Sequence, residues 1–505
     1  MKYPIGIQSF EKLRRGNYVY VDKTRQLFDL VENGASFFLS RPRRFGKSLL
    51  LSTLDALYRC ERTLFTGLWI EDKWDWKTRR HPVVWLKFSE LSYRKLGIEK
   101  ALLLELDRIA ATHQLQLNGV TLKERFRQLL QQLAVERNVV LLIDEYDKPI
   151  INFIENPDQA EANRDALKDF YSVIKDSDPY LELVFITGVS AFSKVSIFSD
   201  QNNLENITLS PQANDLVGIT QAELEHTFAD QLKELDSEQV RRWYNGYRWN
   251  GDVTLYNPFS ILNFFKTRQF RNYWFETGTP TFLVKALRRA GYYHTQTTFA
   301  PQHDLTNFDI RKLRPVTLLF QTGYLTIVEY VEEDRLYTLN YPNLEVEYAL
   351  QQVLLNEYLD NPEESAGVRV VRLRNALQTN DLATVVDTIN TALADIPAPL
   401  WRNQTEHFYH AVVHLIFSLL GTYIRSEVYS ARGRCDALVE TEKYIYAFEF
   451  KLDKSAAVAL KQIDQKGYLT PYQNNGKQCF AVGVNFASAS RKIVDWEVVE
   501  KSATK

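Results

Sequence analysis

The chain contains no run of about 18 or more apolar residues, the length a helix needs to cross a bilayer, so a membrane span is not expected. Its opening, MKYPIGIQSF, lacks the apolar core of a secretory leader, which points to the cytoplasm. Cysteine is scarce: Cys60, Cys435 and Cys479 lie far apart, with no metal-ligand or disulfide spacing, as suits a reducing compartment. Charge of one sign is also missing, since 61 Lys and Arg against 63 Asp and Glu leave a net charge of -2. The total therefore neither supports nor excludes nucleic acid, and any such contact must come from local patches. There is no internal repeat or low-complexity segment. What is present is an ordinary globular mixture, 45% hydrophobic and 25% charged, in 505 residues. That length suits about two to four domains.

Residues 1–215 alternate apolar runs with helical patterns. SFFLS (36–40), PVVWLKF (82–88), VVLLID (139–144), LELVFIT (181–187) and NITLS (206–210) read as strands buried on both faces. LLLSTLDALYR and LKERFRQLLQQLAVER, with apolar residues recurring at three and four, read as helices. The alternation predicts an α/β domain with a parallel, doubly wound sheet. Residues 216–395 are mainly helical with aromatic and glycine-containing loops, and prolines in ALADIPAPLWRNQ mark the boundary to a second α/β domain, 396–505.

In FFLSRPRRFGKSLLL a strand runs into a tight loop and then a helix. A phosphate loop needs backbone N–H groups aimed at a polyphosphate, a lysine for the β and γ oxygens and a hydroxyl for Mg²⁺. Arg44, Phe45, Gly46, Lys47 and Ser48 supply these at a helix N-terminus. Arg41 stands where the motif has its first glycine, and Arg41, Arg43, Arg44 and Lys47 crowd positive charge into the loop. Their charge suits a polyphosphate, although DNA backbone contact would look the same. A buried strand ending in Asp144-Glu145 completes the pattern, the aspartate for the Mg²⁺ shell and the glutamate to polarise water. Thr187 follows the run LVFI, where related ATPases place a sensor of the γ-phosphate, or it simply finishes a strand. No Asn-Lys-x-Asp guanine-reading motif is present, which favours adenine and hence ATP, and no further helicase motif argues for a translocating motor.

GRCDALVETEKYIYAFEFK reads as a hairpin. A two-residue turn at Thr441-Glu442 would set Asp436 opposite Ala447 and put Asp436, Glu449 and Lys451 on one face. Two carboxylates and a lysine there would hold Mg²⁺, lower the pKa of its water and position that water against a phosphodiester. The alternative is a solvated cross-strand charge pair. His407, His410 and His414 share one helical face, but with no clear fourth ligand they read as packing or nucleic-acid-proximal residues in preference to a zinc site.

Asp436, Glu449-Phe450-Lys451 and Glu406 on the preceding helix resemble the PD-(D/E)xK nuclease core over residues 396–490. The resemblance implies that Glu406 assists metal binding and that Lys461 or Gln462 contributes from the next helix. Arg434 would lie on the same face as Asp436 and could contact phosphate. Cys435 replaces the motif's proline. YVDKT, RPRRFGKSLLL, LLIDEYDKP, FITGVSAFSKVSIFSDQNNL, YNPFSIL and AFEFK together resemble the bacterial AAA-ATPase-like proteins with a C-terminal PD-(D/E)xK nuclease domain, in which arginine at the first loop position is usual. That resemblance implies a P-loop ATPase, a helical lid and connecting region, and a restriction-endonuclease-like domain. ATP and Mg²⁺ would serve as cofactors. Lys47, Ser48, Asp144, Glu145 and Thr187 would serve ATP, and Asp436, Glu449, Lys451 and Glu406 cleavage of nucleic acid, DNA ahead of RNA. It also suggests a defence or mobile-element setting and a homo-oligomer in which Arg241, Arg242 or Arg248 completes a neighbour's site. The alternatives are a nucleotide-switched DNA-binding or regulatory protein that does not cut, or an ATPase whose nuclease-like domain serves assembly.

Overall fold

The computed structural model describes residues 1–190, 203–278, 283, 287, 298–306, 311, 314–359, 365–396, 406–420, 425–427, 435–472 and 476–501. They form two compact units, Met1–Phe282 with Thr297–Val346 and Leu283–Gln296 with Glu347–Lys505; the middle region contributes to both.

In the first unit β1 (Ser36–Ser40), β2 (Val83–Lys87), β3 (Val139–Asp144), β4 (Leu181–Gly188) and β5 (Glu205–Asn206) form one sheet in the order β2-β3-β4-β1-β5. Every pairing is parallel. All six residues of β3 are buried, which its unbroken apolar run anticipates. Each such aliphatic side chain contributes about 1.5–3 kcal/mol. The strand expected over 206–210 is shorter. Asn206 Oδ1 accepts from Thr208 N (3.0 Å) and Thr208 Oγ1 accepts from Ser40 N (3.1 Å), so side chains take over the ladder.

The helices beyond β5 include Ser237–Tyr244, Pro258–Thr267 and Pro315–Thr322. The region expected as mainly helical also contributes strands: β6 (Ile219–Thr220) pairs with β7 (Leu255–Tyr256), and β8 (Thr298–Pro301), β9 (Thr326–Val331) and β10 (Leu336–Asn340) form an antiparallel sheet. The helix Pro315–Thr322 ends at Gly323, whose φ is 91°. A Cβ there would stand 2.5 Å from Pro42, so the glycine is needed both for its backbone angle and for the close approach of the phosphate loop.

In the second unit β11 (Arg425–Glu427), β12 (Ala437–Glu440), β13 (Tyr444–Leu452), β14 (Gln478–Ala487) and β15 (Lys492–Glu500) lie in chain order. Only the β13–β14 pairing is parallel among these described strands. Phe448 and Phe450 meet Phe417 of the helix Glu406–Leu420, at 5.1 and 5.9 Å between ring centroids. Ile445 and Ala447 pack on the other side with Leu460 and Ile463 of the helix Ala456–Lys466. The sheet is thus covered on both faces. No helix among the described residues is long and apolar enough to cross a membrane.

The hairpin register differs from the expected one. Glu440 pairs with Ile445 and Ala437 with Phe448, which sets Asp436 across from Glu449 and not Ala447. The connection is longer because Thr441 closes it, its N–H donating to Tyr444 O (2.8 Å) and its Oγ1 accepting from Tyr444 N (2.9 Å). The shift is two residues, so the side chains keep their face.

Candidate functional sites

Between β1 and the helix Lys47–Tyr58 the chain takes two left-handed conformations, Arg44 (φ 66°) and Gly46 (φ 100°). The helix N-terminus points its free N–H groups at a cleft of about 780 Å³, a size suited to a nucleotide. Arg43, Arg44, Gly46, Lys47 and Ser48 line one side, and Glu145, Asp147 and Lys148 another. Lys47 is buried, and its Nζ donates to the carbonyls of Arg41 (2.8 Å) and Pro42 (2.9 Å). Burial pulls its pKa down to about 8, against the opposing charges of Asp144, Glu145 and Asp147. Phe45 points into the core, edge-on to Tyr247 (4.8 Å) and Trp249 (5.1 Å). Its place in the site is that of a loop anchor. Arg44 stays exposed over the Phe259 ring at 5.1 Å.

Arg41 does not add charge beside a nucleotide. It is 1% exposed, and its guanidinium donates to the carbonyls of Ser40 (2.9 Å), Thr208 (2.8 Å) and Ala213 (2.8 Å). It also stacks over Trp249 at 4.2 Å. The arginine welds the loop to the chain beyond β5, while Trp274 Nε1 donates to Arg43 O (3.0 Å) from above.

Asp144 is buried at the end of β3 and accepts from Thr187 Oγ1 (2.8 Å). Neither Asp144 nor the fully buried Thr187 is among the residues lining the cleft, and the Thr187 hydroxyl orients Asp144 behind Glu145 in the chain. Glu145 adopts φ 56° and pairs with Lys148 Nζ at 2.5 Å. A non-glycine residue in that region is often associated with function. Asp147, which the sequence reading passed over, lines the cleft at 1% exposure. It accepts from Val189 N (3.0 Å), Ser190 N (2.7 Å) and Ser190 Oγ (2.6 Å). Gly188 beside it admits no side chain, since a Cβ would stand 2.5 Å from Tyr146 and 2.9 Å from Asp147 Oδ1. Arg241, Arg242 and Arg248 are not among the described residues that line the cleft.

In the second unit Asp436 Oδ2 accepts from Phe450 N (2.7 Å), and Lys451 Nζ donates to Glu449 Oε1 (2.7 Å). Glu449 is 2% exposed, and its buried Oε2 has no hydrogen-bond partner among the described residues. Burial first, then the charge of Asp436, pushes its carboxyl up to about 7 despite Lys451. Cys435 is buried too, its thiol donating to the carbonyls of Ala437 and Phe448 (3.3 Å each). Burial raises its pKa far above the ordinary thiol range. Gln462 hydrogen-bonds Tyr468, whose hydroxyl lies within the fields of Glu449 and Asp436, whereas Lys461 is exposed.

Among the described residues Asp436 and Glu449 belong to no larger cluster of metal-ligating side chains. The backbone of Glu406 opens its helix, but its side chain and those of His407 and His410 lie outside the described ones, as does Arg434. A hard divalent cation fits the pair: the donors are carboxylate oxygens, and one is a buried acceptor lacking any donor.

Residues 4–198 match the family described as predicted AAA-ATPase, and residues 404–496 match the PD-(D/E)XK nuclease superfamily. A curated relative, an uncharacterized protein in the vnfD 5′ region of Azotobacter chroococcum mcd 1, is 40% identical over 514 residues, covering 98% of each chain. No solved structure matches.

Proposed function

This chain belongs to the predicted AAA-ATPases that carry a C-terminal PD-(D/E)XK nuclease-superfamily domain, and from that membership and its two sites we propose an ATP-hydrolysing protein that controls a Mg²⁺-dependent nuclease. Its substrate is nucleic acid, DNA ahead of RNA, and its setting cytoplasmic, in defence or mobile-element biology. The observation that carries the nuclease reading is Glu449: a buried carboxylate paired with Lys451 on one oxygen, with Asp436 across the hairpin and, among the described residues, no hydrogen-bond partner within bonding geometry for the other oxygen.

In the cleft, Lys47 would neutralise the β- and γ-phosphate oxygens, and Ser48 and Asp144 would hold a magnesium ion. Glu145 takes the proton of the attacking water, and Thr187 keeps Asp144 oriented. In the second unit Asp436 and Glu449 would hold the metal, with Glu406 assisting. When bound, Mg²⁺ would supply Lewis-acid polarisation of the phosphate and a water of lowered pKa. Lys451 would position the attacking water, and Phe450 N holds Asp436 in place.

The test is a cleavage assay across single- and double-stranded DNA and RNA, with and without ATP, using wild type, Lys451→Ala and Lys47→Ala. Metal-dependent cleavage lost in Lys451→Ala, and no longer responsive to ATP in Lys47→Ala, is expected. Intact substrates under every condition would leave a nucleotide-switched binding protein.

A further inference from the structure

The nucleotide cleft has a third wall. The chain leaving β2 contributes Ser89, Ser92, Tyr93, Arg94 and Lys95 to it. Because β2 pairs with β3, this chain emerges beside Asp144: Lys87 is in register with Asp144, and Phe88 N donates to Asp144 O (3.1 Å). The wall is therefore adjacent to Glu145. It is also anchored, since buried Tyr93 accepts from Asn152 Nδ2 at 2.5 Å.

Three other cations of the cleft have partners within the protein, and Arg43 lines it as well. Lys47 sits on two carbonyls, Lys148 on Glu145 and Arg44 over Phe259. Arg94 is exposed and makes no ion pair among the described residues, and its charge and that of Glu145 both act on the Tyr93 hydroxyl. Arg94 and Glu145 both line the cleft, as do Gly46, Lys47 and Ser48. Lys95 next to it offers only a point charge, whereas a guanidinium presents a planar fork matched to phosphate oxygens.

Resting on the reading of this cleft as a nucleoside triphosphatase site, we propose that Arg94 is a catalytic residue supplied within the same chain, its guanidinium contacting the γ-phosphoryl group of ATP. In that step the water oxygen forms a bond to the γ-phosphorus and the bond from that phosphorus to the β,γ-bridging oxygen breaks. The water proton passes to Glu145, and ADP and phosphate leave. Charge spreads over the transferred oxygens and the bridging oxygen as this happens, and a fixed cation stabilises it more than the ground state. An arginine from a neighbouring copy is then not required.

The experiment uses the full chain with Mg²⁺ and ATP. Arg94→Ala should lower kcat by about a hundredfold or more. The Kd of a fluorescent non-hydrolysable ATP analogue should change by less than about threefold, because the contact is made chiefly in the transition state. Arg94→Lys should recover only part of the rate. Mixing Arg94→Ala with Lys47→Ala chains should restore nothing, as both lesions lie in one chain's site. Arg94→Ala turnover within about threefold of wild type, or recovery on mixing, overturns the inference. Undiminished turnover in Lys47→Ala overturns the reading of the cleft itself, so the two failures are distinguishable.

Discussion

Each unit sets a lysine beside carboxylates, yet the two sites are finished differently. In the first, Lys47 rests on two carbonyls, Asp144 on Thr187, Asp147 on three donors and Glu145 on Lys148. In the second, Glu449 has one ammonium and an oxygen with no hydrogen-bond donor among the described residues. A buried polar group with its partners costs little, and one without them costs about 1–3 kcal/mol or more. The charged groups of the first site hold one another in place; those of the second leave a buried carboxylate oxygen without a partner among the described residues.

The strongest way to break this comparison is to disable each site separately. Lys47→Ala should abolish nucleotide binding and turnover. Asp436→Ala and Lys451→Ala should cut nucleic-acid cleavage by about 10²–10⁴-fold while leaving nucleotide turnover in place. Both activities are read on one preparation, and a variant of one site that erases both would show that the two are not separable.

Next in size is Arg41→Gly, which would return the loop to the more common phosphate-loop residue. Three carbonyls lose a charged donor, so the first unit should lose about 3 kcal/mol or more in denaturant unfolding, with nucleotide affinity per folded chain little changed. A large loss of affinity at unchanged stability would restore Arg41 to the nucleotide.

Glu449→Gln sharpens the other side. Its carboxyl rises from an unfolded value of 4.5 to about 7 on folding, so its contribution to stability is fully present below 4.5 and is lost as pH rises through about 7. Without metal, the Tm of wild type should fall relative to Glu449→Gln between about pH 5 and 8, by a few degrees, and Mg²⁺ should offset that fall in wild type alone. A pH-independent difference between the two would contradict the assignment. Thr187→Val is the mildest: it removes the donor to Asp144 and should raise the Mg²⁺ concentration for half-maximal ATP turnover by about tenfold, with chain stability nearly unchanged.

Much of this was legible in the chain. The spans of β1 and β3 are those the apolar runs mark out, because a strand buried on both faces carries its signal in every residue. The shared face of Asp436, Glu449 and Lys451 survived an error in the turn, since a slip of two preserves parity. Asp147 and Arg94 were missed for a common reason: neither stands at a diagnostic spacing, and each reaches the cleft because β2, β3 and β4 are neighbours in the sheet. The strands within 216–346 were hidden in short aromatic and glycine-containing segments, where pairing partners lie far apart in the chain.

The residues alone determined that a lysine and a hydroxyl follow a strand into a helix, that acids end another strand, and that two carboxylates and a lysine alternate along a hairpin. These are local periodicities and need no partner. Tertiary structure decided what each charge does. Arg41, indistinguishable in sequence from its basic neighbours, is drawn inward because three carbonyls and Trp249 meet it there. The Glu449 carboxyl is pushed up to about 7 because the sheet and its helices exclude water from it and Asp436 faces it across the hairpin.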